Sequence, residues 1–211
     1  MMVTTNSGQV IESDGVILAT LAADYCRIDF ANRNTQLSSL IGSIPCHLTA
    51  VVAMVVDRSN IKGRLDGFGL VVPSCENRQA LAISFTSNKY PGRTPEGEIL
   101  LRVFLGGSLK PEVLQQADDK LQQIAMDEVK QILQWNGLGL KWQAVIRWNE
   151  AMPQYLVGHV EKVKQIQQQL ESLGNIQVCG AAYTGVGIPQ CIRSSEAAVI
   201  QLLQQLSDSA E

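Results

Sequence analysis

The chain changes from a strand pattern to a helix pattern within one stretch, Asn175-Ile176-Gln177-Val178-Cys179-Gly180-Ala181-Ala182-Tyr183-Thr184-Gly185-Val186-Gly187-Ile188-Pro189. Apolar residues then recur at helical spacing as far as Leu206. Gly185 and Gly187 carry no Cβ, which allows another group to approach the backbone closely. A helix that begins behind glycines presents free N–H groups and a partial positive charge. The pattern therefore predicts either a site for an anion or polarised heterocycle, or an ordinary packed βα turn.

Upstream of this turn, the pattern predicts a sheet with helices. Short connections between successive strands imply antiparallel pairing. The strand patterns cover Cys46–Asp57, Gly67–Pro73, Ala80–Thr86, Ile99–Leu105 and Lys141–Trp148. Near the start, residues 10–20 predict a short hairpin that leads into a buried strand, and residues 21–45 predict partly helical structure. The predicted fold class is α+β.

Two further helices are predicted between the strands. Pro111 is expected to open one long helix that ends before Gly137, with Asp118 and Asp119 exposed in its middle. A second helix is expected over residues 159–173, with His159 as a cap or surface residue.

Composition excludes several classes of function. The 211 residues are 45% hydrophobic with a net charge of −3, which is ordinary for a globular protein and argues against nucleic-acid binding. The longest apolar stretch, residues 48–56, is far shorter than the roughly 20 residues of a membrane span. We therefore expect no transmembrane segment and a cytoplasmic location. Five scattered cysteines and two histidines argue against a metal site and predict reduced thiols.

The usual catalytic patterns are missing from the sequence. Gly67-Phe68-Gly69 and Gly137-Leu138-Gly139 lack the third glycine of a dinucleotide-binding loop and do not open a helix. Glu150 is an isolated acid, and no nucleophile–base arrangement or carboxylate pair stands out. We therefore assign no catalytic residue.

Five stretches of the chain carry distinctive motifs. One is Met152–His159, Met-Pro-Gln-Tyr-Leu-Val-Gly-His, and the others are Leu65–Ser74, Phe85–Arg93, Leu101–Gly107 and Gly180–Ile192. Together they resemble the protoporphyrinogen oxidases, within the amine-oxidase-like flavoproteins, and Met152–His159 is especially similar to bacterial members. The resemblance runs from about Val10 to Leu206.

The resemblance implies two sets of site residues. A tetrapyrrole pocket is implied at Val71, Ser84 and Phe104, although the family more often has leucine at the first two positions. An aromatic ring such as that of Phe104 can stack on a flat macrocycle, whereas without the resemblance Val71 and Phe104 would be plain sheet core. The implied contacts to FAD are Ala181, Val186, Gly187 and Ile188.

The resemblance covers only the back portion of the family. The N-terminal Gly-x-Gly-x-x-Gly that holds the FAD pyrophosphate has no counterpart here. We expect residues 1–36 and 147–211 to be partial FAD-domain segments and residues 37–146 to form the substrate-binding sheet and helix. The expected function is FAD-dependent oxidation of protoporphyrinogen to protoporphyrin, with the chain inactive alone and retaining no FAD.

Other interpretations remain open at this point. The expected partners are a tetrapyrrole and either the missing N-terminal half or a second copy of the chain. The substrate is either protoporphyrinogen or coproporphyrinogen. The chain is otherwise part of another flavin enzyme, such as an amine oxidase or carotenoid desaturase, or a non-catalytic tetrapyrrole-binding or interaction module.

Overall fold

The structure is a computed structural model, and it describes residues 1–25, 27–28, 35–107 and 110–208. The chain divides into two compact units. One combines Met1–Cys46 with Met152–Glu211, and the other is His47–Ala151. The assignment of residues 1–36, 37–146 and 147–211 to parts of a larger flavoprotein stays a prediction.

Helices and strands alternate irregularly along the chain. The strands are β1 (Met2–Thr4), β2 (Val10–Glu12), β3 (Val16–Leu18), β4 (Cys46–Asp57), β5 (Gly69–Val71), β6 (Ala80–Phe85), β7 (Glu98–Gly106), β8 (Leu140–Pro153) and β9 (Ile176–Val178). The α-helices are α1 (Ala22–Tyr25), α2 (Thr35–Gly42), α3 (Thr86–Lys89), α4 (Asp118–Leu133), α5 (His159–Leu173) and α6 (Ile188–Asp208). Short 3₁₀ helices cover Arg58–Asn60, Ser74–Glu76 and Pro111–Gln115.

The unit His47–Ala151 is built on a sheet that has, within the described ranges, five strands in the order β5-β6-β7-β4-β8. The longest pairing joins β4 and β7 antiparallel, from Thr49 opposite Gly106 to Asp57 opposite Glu98. Alternate residues of both strands pack with α4 in one core, which includes Val52, Met54, Leu101, Val103, Leu105, Leu121, Ala125 and Val129. The other side of the sheet carries Val71, Ala82, Ser84, Arg102 and Phe104, which are half-buried or exposed; we call it the outer face.

The second unit contains a parallel pair of strands. β3 lies beside β9, with Val16 opposite Ile176 and Leu18 opposite Val178. Buried apolar side chains of α2 and α5, among them Leu37, Ile41, Ile166 and Leu170, form its core with Ile176. The residues that follow β9 therefore emerge from a buried strand directly into the start of α6.

The α+β class and the antiparallel sheet are confirmed, but the predicted hairpin at residues 10–20 is wrong. β2 pairs with β1, with Val3 opposite Ile11, whereas β3 pairs with β9. A sequence pattern cannot identify this partner because β3 and β9 are more than 150 residues apart.

The predicted helix from Pro111 is also wrong at its start. Gln116 and Ala117 have extended backbone, so a 3₁₀ turn precedes α4 and Asp118 opens the helix. The guanidinium of Arg147 on β8 donates to the carbonyls of Leu114 and Gln116, each at 2.6 Å, and to the Asp118 carboxylate. These bonds use carbonyls that a continuous helix would pair internally, which explains the break.

The structure bears on the expected thiols and on the expected lack of a transmembrane segment. Cys75, Cys179 and Cys191 are free thiols, while Cys26 lies outside the described residues. Within the described ranges, no helix combines the length and apolar character that crossing a bilayer requires. A cytoplasmic location stays a prediction of the sequence.

Candidate functional site

The outer face brings together the three residues that the sequence assigned to a tetrapyrrole. Val71 lies opposite Ala82, and Ala82 lies opposite Phe104, so one row crosses β5, β6 and β7. Ser84 lies in the adjacent row, opposite Gly69. Val71, Ser84 and Phe104 all line one shallow concavity of about 280 Å³. Their role in binding a substrate stays a prediction.

The concavity is apolar and open, and Val71 and Phe104 in its wall are not sheet core. Val71 is 79% exposed. Phe104 is half-buried, whereas its β7 neighbours Val103 and Leu105 are fully buried in the core on the other side. The alternative that Val71 and Phe104 are plain core is therefore wrong, because strand alternation turns them to the outer face.

Sequence reasoning missed Phe68, which is 68% exposed and lines the same concavity. The adjacent Gly69 has φ of +150°, and a Cβ there would lie 2.5 Å from the Ile83 carbonyl oxygen. Glycine is thus needed for β5 to approach β6. The sequence feature that could have identified Phe68 is its position directly before this glycine.

The residues assigned to FAD lie in the turn between β9 and α6. Gly187 precedes the helix, and its carbonyl accepts the first helical hydrogen bond from Cys191 N at 3.0 Å. The N–H groups of Ile188 and Gln190 come before that bond, and Pro189 has none to offer. Val186 and Ile188 are exposed, while Ala181 is half-buried. The turn thus presents apolar side chains around a helix N-terminus.

Tyr155, in the segment before α5, and His159, the first residue of α5, support this turn. The Tyr155 hydroxyl donates to the Ala181 carbonyl at 2.5 Å, and His159 Nε2 lies 2.9 Å from the Tyr183 carbonyl. The two rings stack with centroids 4.1 Å apart. His159 is buried, so its expected surface position is wrong. Burial raises the pKa of Tyr155 and outweighs the opposite effect of the Gly185 backbone.

A second concavity of about 320 Å³ lies among α5, β9 and α6 in the same unit. Its apolar side is formed by residues such as Val163, Ile166 and Leu170, and its polar side includes Arg193 and Gln177. The sequence analysis did not anticipate it, because it requires three elements to be placed together in space.

The antiparallel sheet and the strand–turn–helix unit also occur together in solved structures of longer chains. A solved structure from Exiguobacterium sp. 255-15, described as a candidate protoporphyrinogen oxidase, matches with a TM-score of 0.76 and 21% identity, over 98% of this chain and 44% of that one. Cyclohexylamine oxidase from Brevibacterium oxydans IH-35A matches with a TM-score of 0.67 and 11% identity, over 94% and 44% of the two chains. These likenesses show the fold.

The sequence identifies the family. Residues 2–203 match the model of the family described as flavin containing amine oxidoreductase, and the chain belongs to that family. Coproporphyrinogen III oxidase of Bacillus subtilis (strain 168) is 32% identical over 163 residues, covering 76% of this chain and 34% of the relative. Chloroplastic protoporphyrinogen oxidase 1 of Spinacia oleracea is 29% identical over 154 residues, covering 70% and 27%. The chain thus spans about a third of the length of the curated relatives it matches.

The turn fits a flavin at the level of its chemistry. An added Cβ on Gly180 would meet nothing within 4 Å, so the space beside the start of the turn is open. The exposed side chains of Val186 and Ile188 can pack on an apolar ring system, and the N-terminus of α6 favours an electron-rich edge. The family is described as flavin-containing. That Ala181, Val186, Gly187 and Ile188 contact the flavin stays a prediction.

Proposed function

We propose that this chain supplies the substrate-facing sheet and one flavin-facing turn of an FAD-dependent porphyrinogen oxidase, and that it is inactive alone. The observation that carries the proposal is the convergence of Val71, Ser84 and Phe104 on one concavity of the outer face. Relatives named coproporphyrinogen III oxidase and protoporphyrinogen oxidase support the substrate class.

The proposed roles of the residues follow from their chemistry. Phe104 stacks against the macrocycle, and Val71 with Phe68 forms the apolar edge that excludes water from one side of it. When bound, FAD supplies the redox chemistry, accepting electrons from the porphyrinogen in two-electron steps and passing them to oxygen. We assign no acid or base among the described residues.

The flavin-facing part of the proposal rests on the turn before α6. Gly187 has no Cβ, so only the flexible end of the Gln190 side chain lies against its backbone, and Val186 and Ile188 provide apolar contact. Ala181 is fixed in place by the hydroxyl of Tyr155. The pyrophosphate of FAD requires further N–H donors, which we propose come from an N-terminal flavin-binding segment, supplied either as a separate chain or as part of a longer one.

A non-catalytic tetrapyrrole-binding module is the second candidate. It is favoured by the outer-face concavity, which lies wholly within the unit His47–Ala151 and is formed without the flavin-facing turn. This candidate predicts porphyrin binding that is independent of any flavin-binding partner.

A porphyrin titration tests the proposal. Quenching of coproporphyrin fluorescence by the purified chain should saturate, and Phe104→Ala should weaken binding by about 1 kcal/mol or more. Leu138→Ala, a change at a 65% exposed side chain that does not line the concavity, is the matched control. Adding the N-terminal half of a relative with FAD then separates the two candidates, since only the oxidase gains turnover. Saturable binding that Phe104→Ala leaves unchanged contradicts the proposed site.

A further inference from the structure

Arg102 places a positive charge on the outer face. It lies on β7 two residues before Phe104 and opposite Ser84 on β6, so it borders the concavity. Its Cζ lies 5.7 Å from the centre of the Phe104 ring. Its Nε donates to Thr86 Oγ1 at 3.1 Å, and Thr86 is itself buried. Two restraints therefore hold the guanidinium in place beside the proposed macrocycle site.

This half-buried guanidinium has no carboxylate partner among the described residues. The other arginines of this unit that form ion pairs do so with acids of the same unit. The pairs are Arg64 with Asp66, Arg78 with Glu128, and Arg147 with Asp118. Arg102 instead has a hydroxyl and an aromatic face as its neighbours. A charge that is partly removed from water without a counter-ion is unfavourable, and an incoming anion relieves that cost.

We infer that Arg102 binds a carboxylate side chain of the substrate, an inference that rests on the function proposed above. Thr86 accepts from Nε only, and the two terminal nitrogens form no hydrogen bond to a described residue, so they are available for paired hydrogen bonds to one carboxylate. Porphyrinogens carry propionate groups on the rim of the macrocycle. Residues i and i+2 of a strand are about 7 Å apart on one face, which matches a ring stacked on Phe104 and a propionate at Arg102.

This assignment gives the outer face two distinct functions. Phe104 packs against the apolar ring system, and Arg102 fixes the rotation of the macrocycle by holding one carboxylate. The tetracarboxylate coproporphyrinogen presents a propionate at Arg102 in more rotations of the ring than the dicarboxylate protoporphyrinogen does. Arg102 therefore favours the more highly carboxylated substrate.

The test compares a porphyrin acid with its ester on the full chain. Coproporphyrin III and its tetramethyl ester are titrated in the same mild detergent, with fluorescence quenching as the readout. The wild-type chain should bind the acid about tenfold more tightly than the ester. Arg102→Gln should weaken binding of the acid by about tenfold and leave binding of the ester unchanged. Arg102→Lys, which keeps the charge, should recover part of the loss.

The control is Lys120→Gln, which removes a positive charge from an exposed position on α4, on the opposite side of the sheet. It should behave as wild type. If Arg102→Gln weakens binding of the acid and of the ester equally, or weakens binding of neither, the inference about Arg102 is overturned. The proposed site itself is still supported in that case if Phe104→Ala weakens binding. If the wild-type chain binds neither compound, both proposals are overturned. Protoporphyrin IX has two carboxylates, so Arg102→Gln should weaken its binding less than it weakens binding of coproporphyrin III.

Discussion

The imidazole of His159 stacks on the phenol ring of Tyr155, with ring centroids 4.1 Å apart and 10° between the planes. Each ring also reaches a carbonyl of the turn that follows β9, Tyr155 that of Ala181 and His159 that of Tyr183. A carbonyl only accepts hydrogen bonds, so Nε2 is the protonated nitrogen of His159. Tyr155 and His159 therefore fix the two ends of the segment Ala181–Tyr183.

Loss of this support should loosen the turn before it unfolds the unit. Tyr155→Phe removes one hydrogen bond and should lower the free energy of unfolding by about 1 kcal/mol. Hydrogen exchange at residues 180–187, followed by mass spectrometry, should accelerate in the variant. Tyr90→Phe is the control, since the Tyr90 hydroxyl makes no hydrogen bond to a described residue. Unchanged exchange in Tyr155→Phe would show that the turn does not depend on this bond.

Neighbouring positions on β7 should separate binding from stability. Leu101 is fully buried and Phe104 is half-buried on the outer face. Leu101→Ala should lower the free energy of unfolding by about 2–5 kcal/mol because it leaves a cavity. Phe104→Ala should lower it by much less, since the concavity is already open to solvent. Chemical denaturation of both variants measures the difference. An equal decrease in the free energy of unfolding would show that Phe104 packs as a core residue.

The two glycines before α6 should differ in their tolerance of alanine. Gly185 has φ of +154°, and a Cβ there would lie 2.7 Å from Gln190 Cβ. A Cβ on Gly187 would meet the end of the flexible Gln190 side chain instead, without unusual backbone geometry. Gly187→Ala should therefore shift the thermal midpoint little, whereas Gly185→Ala should lower it clearly.

Gly187→Val tests whether the glycine serves the cofactor. In a preparation completed with a flavin-binding segment, it should abolish FAD binding while leaving the thermal stability of the isolated chain nearly unchanged. Gly187→Val is also made in a chain that already carries Gln190→Ala, because this change removes the side chain that a new Cβ would meet. Unfolding of the isolated chain by Gly187→Val in that background would assign the glycine to backbone geometry alone.

Alkaline pH should destabilise the unit that contains Tyr183. Burial, with smaller contributions from Tyr25 and Cys179, raises the pKa of Tyr183 above its ordinary value of 10.0. The folded state therefore retains a proton that the unfolded state loses, so this stability is present below pH 10 and is lost as the pH rises above it. The thermal midpoint should fall above about pH 10, and the fall should be smaller in Tyr183→Phe. Parallel curves for the two proteins would contradict this assignment.

The isolated chain should not retain FAD. Its turn offers a helix N-terminus and apolar contacts, but the sequence has no second glycine-rich loop for the pyrophosphate. The purified protein should be colourless and should release no flavin on acid denaturation, even after incubation with FAD and gel filtration. Stoichiometric flavin in the protein recovered from gel filtration would contradict this prediction.

The sequence by itself determined the local elements. Alternation of apolar residues predicted the strands around β4 and β7, and the glycine-rich turn predicted the β9–α6 junction, because both signals depend on neighbours in the chain. The motifs also indicated the family and the residues Val71, Ser84 and Phe104. Those positions lie on three different strands, so only their order along the chain was visible in advance.

Tertiary structure alone decided which of these residues meet. Pairing of β5, β6 and β7 placed Val71 and Phe104 in one row and added Phe68 and Arg102 to its border, and pairing of β3 with β9 joined segments from opposite ends of the chain. The same holds for Arg147, which interrupts the helix expected from Pro111, and for His159, whose burial depends on Tyr155 and Tyr183. Contacts between residues far apart in sequence depend on strand register and on competition for carbonyls, and neither is encoded in a local pattern.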